Sequence, residues 1–270
     1  MNSQSIRAPA VAGLFYEGNP QRLSADVMSL LAAAPSTTDL KAKAMVVPHA
    51  GYIYSGPVAA TAYRALQNQA DTIRRVVLLG PTHRVAVQGL AVPTVAAFST
   101  PLGTVPLDQA AIGQILDMPQ VVRNDRPHEM EHALEVQLPF LQLVLRDFTL
   151  IPLAVGHASA SEVAEVLERL WGGDETLILV SSDLSHYHSY SEARRIDGVT
   201  IEHILALQGP LDHEQACGAT PLNGLLRVAR GKGMTPHLLD LRNSGDTAGD
   251  RDRVVGYAAI AFVAGDGHVN

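Results

Sequence analysis

MVVPHAGYIYSG (45–56) is the stretch on which the fold turns. An apolar, β-branched run stops at Pro48, and an ionisable imidazole, His49, follows at once. Ending a buried strand in a histidine makes sense if a site is built at that end. The question is whether other strands finish the same way, and two do: VVLLGPTHR (76–84) delivers His83, and TLILVSSDLSH (176–186) delivers Asp183 and His186. A lone histidine at a strand end is most simply a cap. Three coincident strand ends point instead to a shared site, because ligands of open α/β sheets bind at the carboxyl ends of parallel strands.

The apolar runs themselves, at 44–47, 75–80, 149–155, 176–182 and 254–263, are continuous and not alternating. Such runs fit strands covered on both faces, as in a mostly parallel sheet. Amphipathic stretches at 20–34, 58–69, 108–117, 132–146, 159–171, 190–208 and 220–231 read as helices between them. Strand alternating with helix means an α/β layer fold. The segment 89–108 lacks a helix and suits short, antiparallel strands, while Pro139 bends the helix expected over 132–146. No linker or repeat divides the chain, so it reads as a single domain over 1–270.

A formal net charge of −7 and the absence of a basic run exclude a nucleic-acid surface. One cysteine in 270 residues rules out an internal disulfide and suits a reducing, cytoplasmic setting. The longest apolar run is too short to span a bilayer.

Histidine at the strand ends serves as metal ligand or as acid and base. Asp183, close to His186, is placed to accept a ring N–H and fix its tautomer. HEMEH (128–132) matches the letters of H-E-x-x-H, but Pro127 puts it at a helix start and no G-x-x-H follows, which leaves Glu162 and Glu165 on a later helix as the candidates for a third ligand. The useful residues there are Glu131, His132 and Glu135, above a core stripe of Leu134, Leu138, Leu141 and Leu145. Cys217, just before a helix, reads as a small buried hydrophobe, as a thiol whose pKa the helix N-terminus lowers, or as a nucleophile paired with a histidine. No G-x-S-x-G, Walker or Rossmann fingerprint is present, and GDTAGD (245–250) reads as a surface turn at the site's rim.

PHAGYIYSG, LGPTH, EHALEVQLPF, VSSDLSHY and CGATPLNGLL, in that order, resemble the Memo family, also called AmmeMemoRadiSam system protein B. The resemblance covers nearly the whole chain. It implies a three-layer α/β/α sandwich like that of the class III extradiol dioxygenases, and a metal held by His49, His83 and Cys217. It also implies His186 as general base with Asp183 beside it, and His132, Glu135 and Tyr54 lining the pocket. Iron(II) is the metal so implied, with copper or zinc as alternatives, because a thiolate in place of a carboxylate favours softer ions. Two functions follow: a non-haem iron oxidoreductase acting on a small chelating substrate, or a metal- or peptide-binding protein that keeps the pocket without turnover. The family name further implies AMMECR-type and radical SAM partner proteins.

Overall fold

The computed structural model describes residues 5–35 and 40–265. In chain order the elements begin with β1 (Ile6–Arg7), α1 (Pro20–Ala33), β2 (Ala42–Val47), α2 (Tyr52–Ala65) and β3 (Arg75–Pro81). An excursion of short pieces follows: β4 (Leu90–Val92), β5 (Ala97–Thr100), β6 (Gly103–Pro106), α3 (Gln109–Gly113), β7 (Val121–Arg123), α4 (Arg126–Glu129) and α5 (Leu138–Val144). The chain then runs through β8 (Thr149–Val155), α6 (Ala160–Leu170), β9 (Thr176–Ser181), β10 (His186–His188), α7 (Tyr190–Leu205), α8 (Ala219–Gly231), β11 (Thr235–Asn243) and β12 (Val254–Val263).

Nine strands form the main sheet, in the order β10-β12-β2-β9-β3-β8-β4-β7, with β11 also on β12. Its centre is parallel: β2 pairs with β9, β9 with β3, and β3 with β8. Side chains of these four strands are almost wholly buried, which is why their sequences show no polar alternation. Each fully buried Val, Leu or Ile contributes about 1.5–3 kcal/mol. The sheet is nevertheless mixed and not mostly parallel throughout. The fifth apolar run, β12, is antiparallel to β2 and to β11, because only the stretch 244–253 separates it from β11 and no crossover helix intervenes. Toward the other edge β4 lies antiparallel to β8, and in a separate three-stranded sheet with β1 the strand β5 pairs antiparallel with β6, as expected of 89–108.

The crossover β2–α2–β3 steps past β9 in one direction, while β8–α6–β9 steps back past β3. Both being right-handed, α2 and α6 cover opposite faces. α1 and α5 pack with α2, and α8 packs with α6, which gives the α/β/α layering. Two helix expectations need correction. α2 starts at Tyr52, well ahead of 58, because Gly51 caps it and Pro57 is accommodated inside it. The stretch 132–146 is a loop, a single 3₁₀ turn (Glu135–Gln137) and then α5, with Pro139 in the first turn of α5, where its missing N–H costs no bond. The stripe survives this change: Leu134, Leu138, Leu141 and Leu145 are all buried. Among the described residues, no helix is long and apolar enough to cross a membrane.

Candidate metal centre

In register, Val47 of β2 lies opposite Ser181 of β9, and Leu79 of β3 opposite Val180. The chain therefore leaves these three strands on one edge, and His49, His83 and Asp183 arrive there together. His132 comes from the loop after α4, and Cys217 from the loop ahead of α8. The close fit at Gly218 explains how Cys217 gets so near: a Cβ there would stand 2.7 Å from that of Ser182, so only glycine lets the start of α8 abut the exit of β9.

His49, His83 and His132 each present a ligand atom, and these atoms lie within 4.8 Å of one another. Nitrogens about 2.1 Å from one ion sit up to about 4.2 Å apart, so a small side-chain adjustment closes the cage. The ring of His132 stacks on His83 at 4.6 Å and meets His49 edge-on at 5.3 Å. Cys217 Sγ lies 3.2 Å from His49 Nε2. Three imidazoles and a thiol form a donor set suited to zinc, copper or iron.

Hydrogen bonding fixes which nitrogen each ring offers. The Ser181 hydroxyl donates to Ala133 O (2.6 Å), so its oxygen accepts from Gln137 (2.8 Å) and from His49 Nδ1 (3.0 Å). His83 Nδ1 donates to Glu131 Oε1 at 2.9 Å, and His132 Nδ1 stands 3.2 Å from the same oxygen. A carboxylate only accepts, so the His83 ring carries a proton on Nδ1. With Nδ1 engaged in these bonds, His49 and His83 each have Nε2 left for the centre.

Burial holds His49 down to about 3 and His132 down to about 4. Both are neutral and ready as ligands near pH 7. Burial pushes the Glu131 carboxyl up, but the His83 ring N–H and the backbone N–H groups of His83 and Ala133 outweigh it and hold it at about 2. Burial also pushes the Cys217 thiol up to about 12, aided by the Asp183 charge. This corrects the expectation of a lowered thiol pKa, since desolvation in this pocket outweighs the helix N-terminus.

A cavity of about 1420 Å³ opens above these groups, lined among others by His49, His83, His132, Asp183, His186, Cys217 and Tyr54. Gly249 and Asp250 of the glycine-rich turn rim it. His186 Nδ1 donates to Leu184 O at 2.8 Å, which leaves Nε2 as a base. Asp183 does not set that tautomer, as the sequence suggested. Its Oδ1 accepts the His49 backbone N–H at 2.7 Å, and burial raises its pKa. Glu135 is not a pocket residue either: fully buried, it binds Arg7, Ala10, Val11 and Tyr16 of the N-terminal segment. His128 is buried too, bonded to Ala91 O, so the two histidines of HEMEH share no face.

Glu131 is the functional residue whose role the sequence left unassigned, though it stood in the quoted segment. Beyond both rings, it accepts the backbone N–H groups of His83 (2.6 Å), His132 and Ala133 (both 2.9 Å). His157 lines the cavity from the end of β8, and TLIPLAVGH was the same strand-end signal a fourth time. Phe15 lines it from the N-terminal segment AGLFY (12–16).

The loop carrying Asp183 and His186 is held from behind. Ser185 N donates to buried Asp197 Oδ1 at 3.0 Å, and Gly256 N donates to Ser185 O at 2.9 Å. At Gly256 a Cβ would lie 2.0 Å from Asp197 Oδ2, so only glycine admits the carboxylate. Burial raises Asp197 to about 6. A carboxyl raised in the folded state favours folding below its unfolded pKa, and that contribution is lost as pH rises through about 6. Asp197→Asn keeps the acceptor for Ser185 and removes the charge. Its thermal stability will match wild type near pH 4 and exceed it at pH 8 by about 3 kcal/mol, an order-of-magnitude figure. Parallel Tm–pH curves for the two proteins would refute this.

Comparison with known proteins identifies the company this site keeps. The family model described as "Memo-like protein" matches residues 7–261. A "MEMO1 family protein" of Aquifex aeolicus is 36% identical over 271 residues, covering 96% of this chain and 99% of the relative. One from Sulfolobus acidocaldarius is 34% identical (95% and 99% covered), and one from Methanopyrus kandleri is 35% identical (96% and 99%). With a family match over nearly its whole length, the chain belongs to the Memo family.

Proposed function

We propose that the chain is a metal-dependent oxidoreductase acting on a small chelating substrate, with iron(II) held by His49, His83 and Cys217. One observation carries the reading. Unprotonated imidazole nitrogens and a thiol converge at the carboxyl edge of the parallel strands, beneath an open cavity. Iron held there would supply Lewis acidity and access to oxygen chemistry. The chain's own residues do the rest. Glu131 and Ser181 orient the ligand rings. His186 Nε2, its tautomer set by Leu184 O, takes a proton from a substrate hydroxyl. Tyr54 and Phe15 give the substrate an apolar wall.

His132 favours a second reading. Its nitrogen belongs to the same cluster, and three histidines with one thiolate make a closed tetrahedral set, which suits binding or storage and not turnover. Coordination number separates the two. In anaerobically purified protein, X-ray absorption showing one sulfur and two imidazoles with further light-atom ligands, together with oxygen uptake that His186→Ala abolishes, supports the enzyme. A four-coordinate S1N3 ion and no oxygen uptake across a panel of catechols and other chelators overturns it in favour of the binding protein.

A further inference from the structure

We infer that the N-terminal segment 7–16 is a built part of the metal centre, with Phe15 a positioning residue for His132 and Glu135 the latch that seats it. The inference rests on the second reading above, in which His132 is a metal ligand beside His49 and His83.

Glu135 collects both ends of the segment. Its Oε2 accepts from Arg7 Nη1 (2.5 Å) and Ala10 N (2.7 Å), and its Oε1 from Val11 N (3.0 Å) and the Tyr16 hydroxyl (2.6 Å). Fully buried on these four donors, the carboxylate does not reach the cavity. The remaining donors of Arg7 go to the backbone that leads into His132: Nε to His128 O (2.6 Å) and Nη2 to Glu131 O (2.8 Å). Arg7 and Glu135 are 7% and 0% exposed, so this pair sits in a low dielectric and its geometry is stiff. Between these anchors the chain makes a tight turn. Phe15 N donates to Val11 O (2.9 Å) and Gly13 N to Tyr16 O (2.7 Å), with Gly13 in the left-handed region at φ 78°. Phe15 O in turn accepts Tyr52 N at 2.8 Å, which joins the turn to the start of α2.

The consequence falls on His132. Its ring is packed by His49, by His83 and by Phe15, whose centroid is 4.8 Å away. Of those three, Phe15 alone brings no donor atom. It confines the imidazole that the Glu131 carboxylate orients, so that His132 Nε2 stays with the nitrogens of His49 and His83. Without Phe15 the ring has room to swing about the Glu131 contact, and the ligand cluster loosens.

The test loads full-length protein with cobalt(II) and reads the visible ligand-field spectrum, the rate of release to a chelator, and the Tm of the metal-free protein. Phe15→Leu is the principal variant, Phe15→Tyr the conservative rescue, Glu135→Gln the latch variant and Leu14→Ala the control, since Leu14 is 80% exposed in the same turn. Phe15→Leu will shift the ligand-field bands and speed release by about ten-fold or more, while changing the metal-free Tm by less than about 3 °C. Phe15→Tyr and Leu14→Ala will behave as wild type, and Glu135→Gln will reproduce the Phe15→Leu spectrum together with a lower Tm. If wild type binds cobalt and Phe15→Leu keeps its spectrum and release rate, the segment is structural only and the inference fails while the metal reading stands. If Glu135→Gln does not fold, the Phe15 variants still decide. If wild type binds no cobalt, both are overturned.

Discussion

Replacing Glu131 with alanine will lower metal affinity by about 10²- to 10⁴-fold, although Glu131 touches no metal. A carboxylate that orients one ligating histidine is worth about 10- to 100-fold in affinity. Glu131 serves two rings with one oxygen: Oε1 lies 2.9 Å from His83 Nδ1 and 3.2 Å from His132 Nδ1. It also gathers the backbone N–H groups of His83, His132 and Ala133, so it welds the exit of β3 to the loop that follows α4. Removing it frees both rings and leaves buried N–H groups without partners. Glu131→Gln tests the chemistry more closely. Its carbonyl oxygen can stand at Oε1 and keep the donors that meet there. Its NH₂ then opposes the His83 N–H at Oε2 and the charge is gone, so the loss will be about ten-fold, smaller than for alanine. Competition with a chromophoric chelator at pH 7.5 measures this directly. An affinity within three-fold of wild type for either folded variant would mean that the two histidines are oriented by something other than Glu131.

What could be read from the sequence, and what could not, divides by distance along the chain. The strand ends were legible because a buried parallel strand announces itself as an uninterrupted apolar run, and whatever follows it must emerge on the sheet's carboxyl edge. His49, His83, Asp183 and His186 all reached the cavity for that reason. Glu135 did not. Its partner Arg7 stands 128 positions away, and no local pattern reveals that a carboxylate next to the site will be claimed by a distant guanidinium. The same holds for Phe15, which belongs to the pocket only because that clamp folds the N-terminal segment over His132. The helix expected over 132–146 failed for a local reason that the sequence did contain. Proline is best placed in a helix's first turn, so Pro139 marked a start and not a bend. The orientation of β12 was hidden because buried parallel and buried antiparallel strands look alike in composition. Only the short return from β11 distinguishes them.

Loading the centre with metal will expel one proton per ion from wild type that Cys217→Ser does not release. The thiol sits at about 12 because burial and the Asp183 charge oppose the thiolate. His49 and His132, at about 3 and 4, have no proton to give at pH 7. A metal that binds sulfur must therefore displace the thiol proton, against a cost of about 7 kcal/mol at pH 7 by the distance between pH and pKa. Ions with strong affinity for sulfur meet that cost most easily. Affinity alone therefore orders copper(I) and zinc before iron(II), and iron(II) before manganese(II), and loading with iron(II) follows its availability. Affinity will consequently rise about ten-fold for each unit of pH in wild type, relative to Cys217→Ser. Calorimetric titrations with zinc in two buffers of different ionisation enthalpy count the protons, and the serine variant will bind at least about 10³-fold more weakly. An equal proton count and affinity in the two proteins would assign the metal to His49, His83 and His132 alone. That outcome would leave Cys217 a buried neighbour and remove the thiolate that separates this centre from one built of imidazoles only.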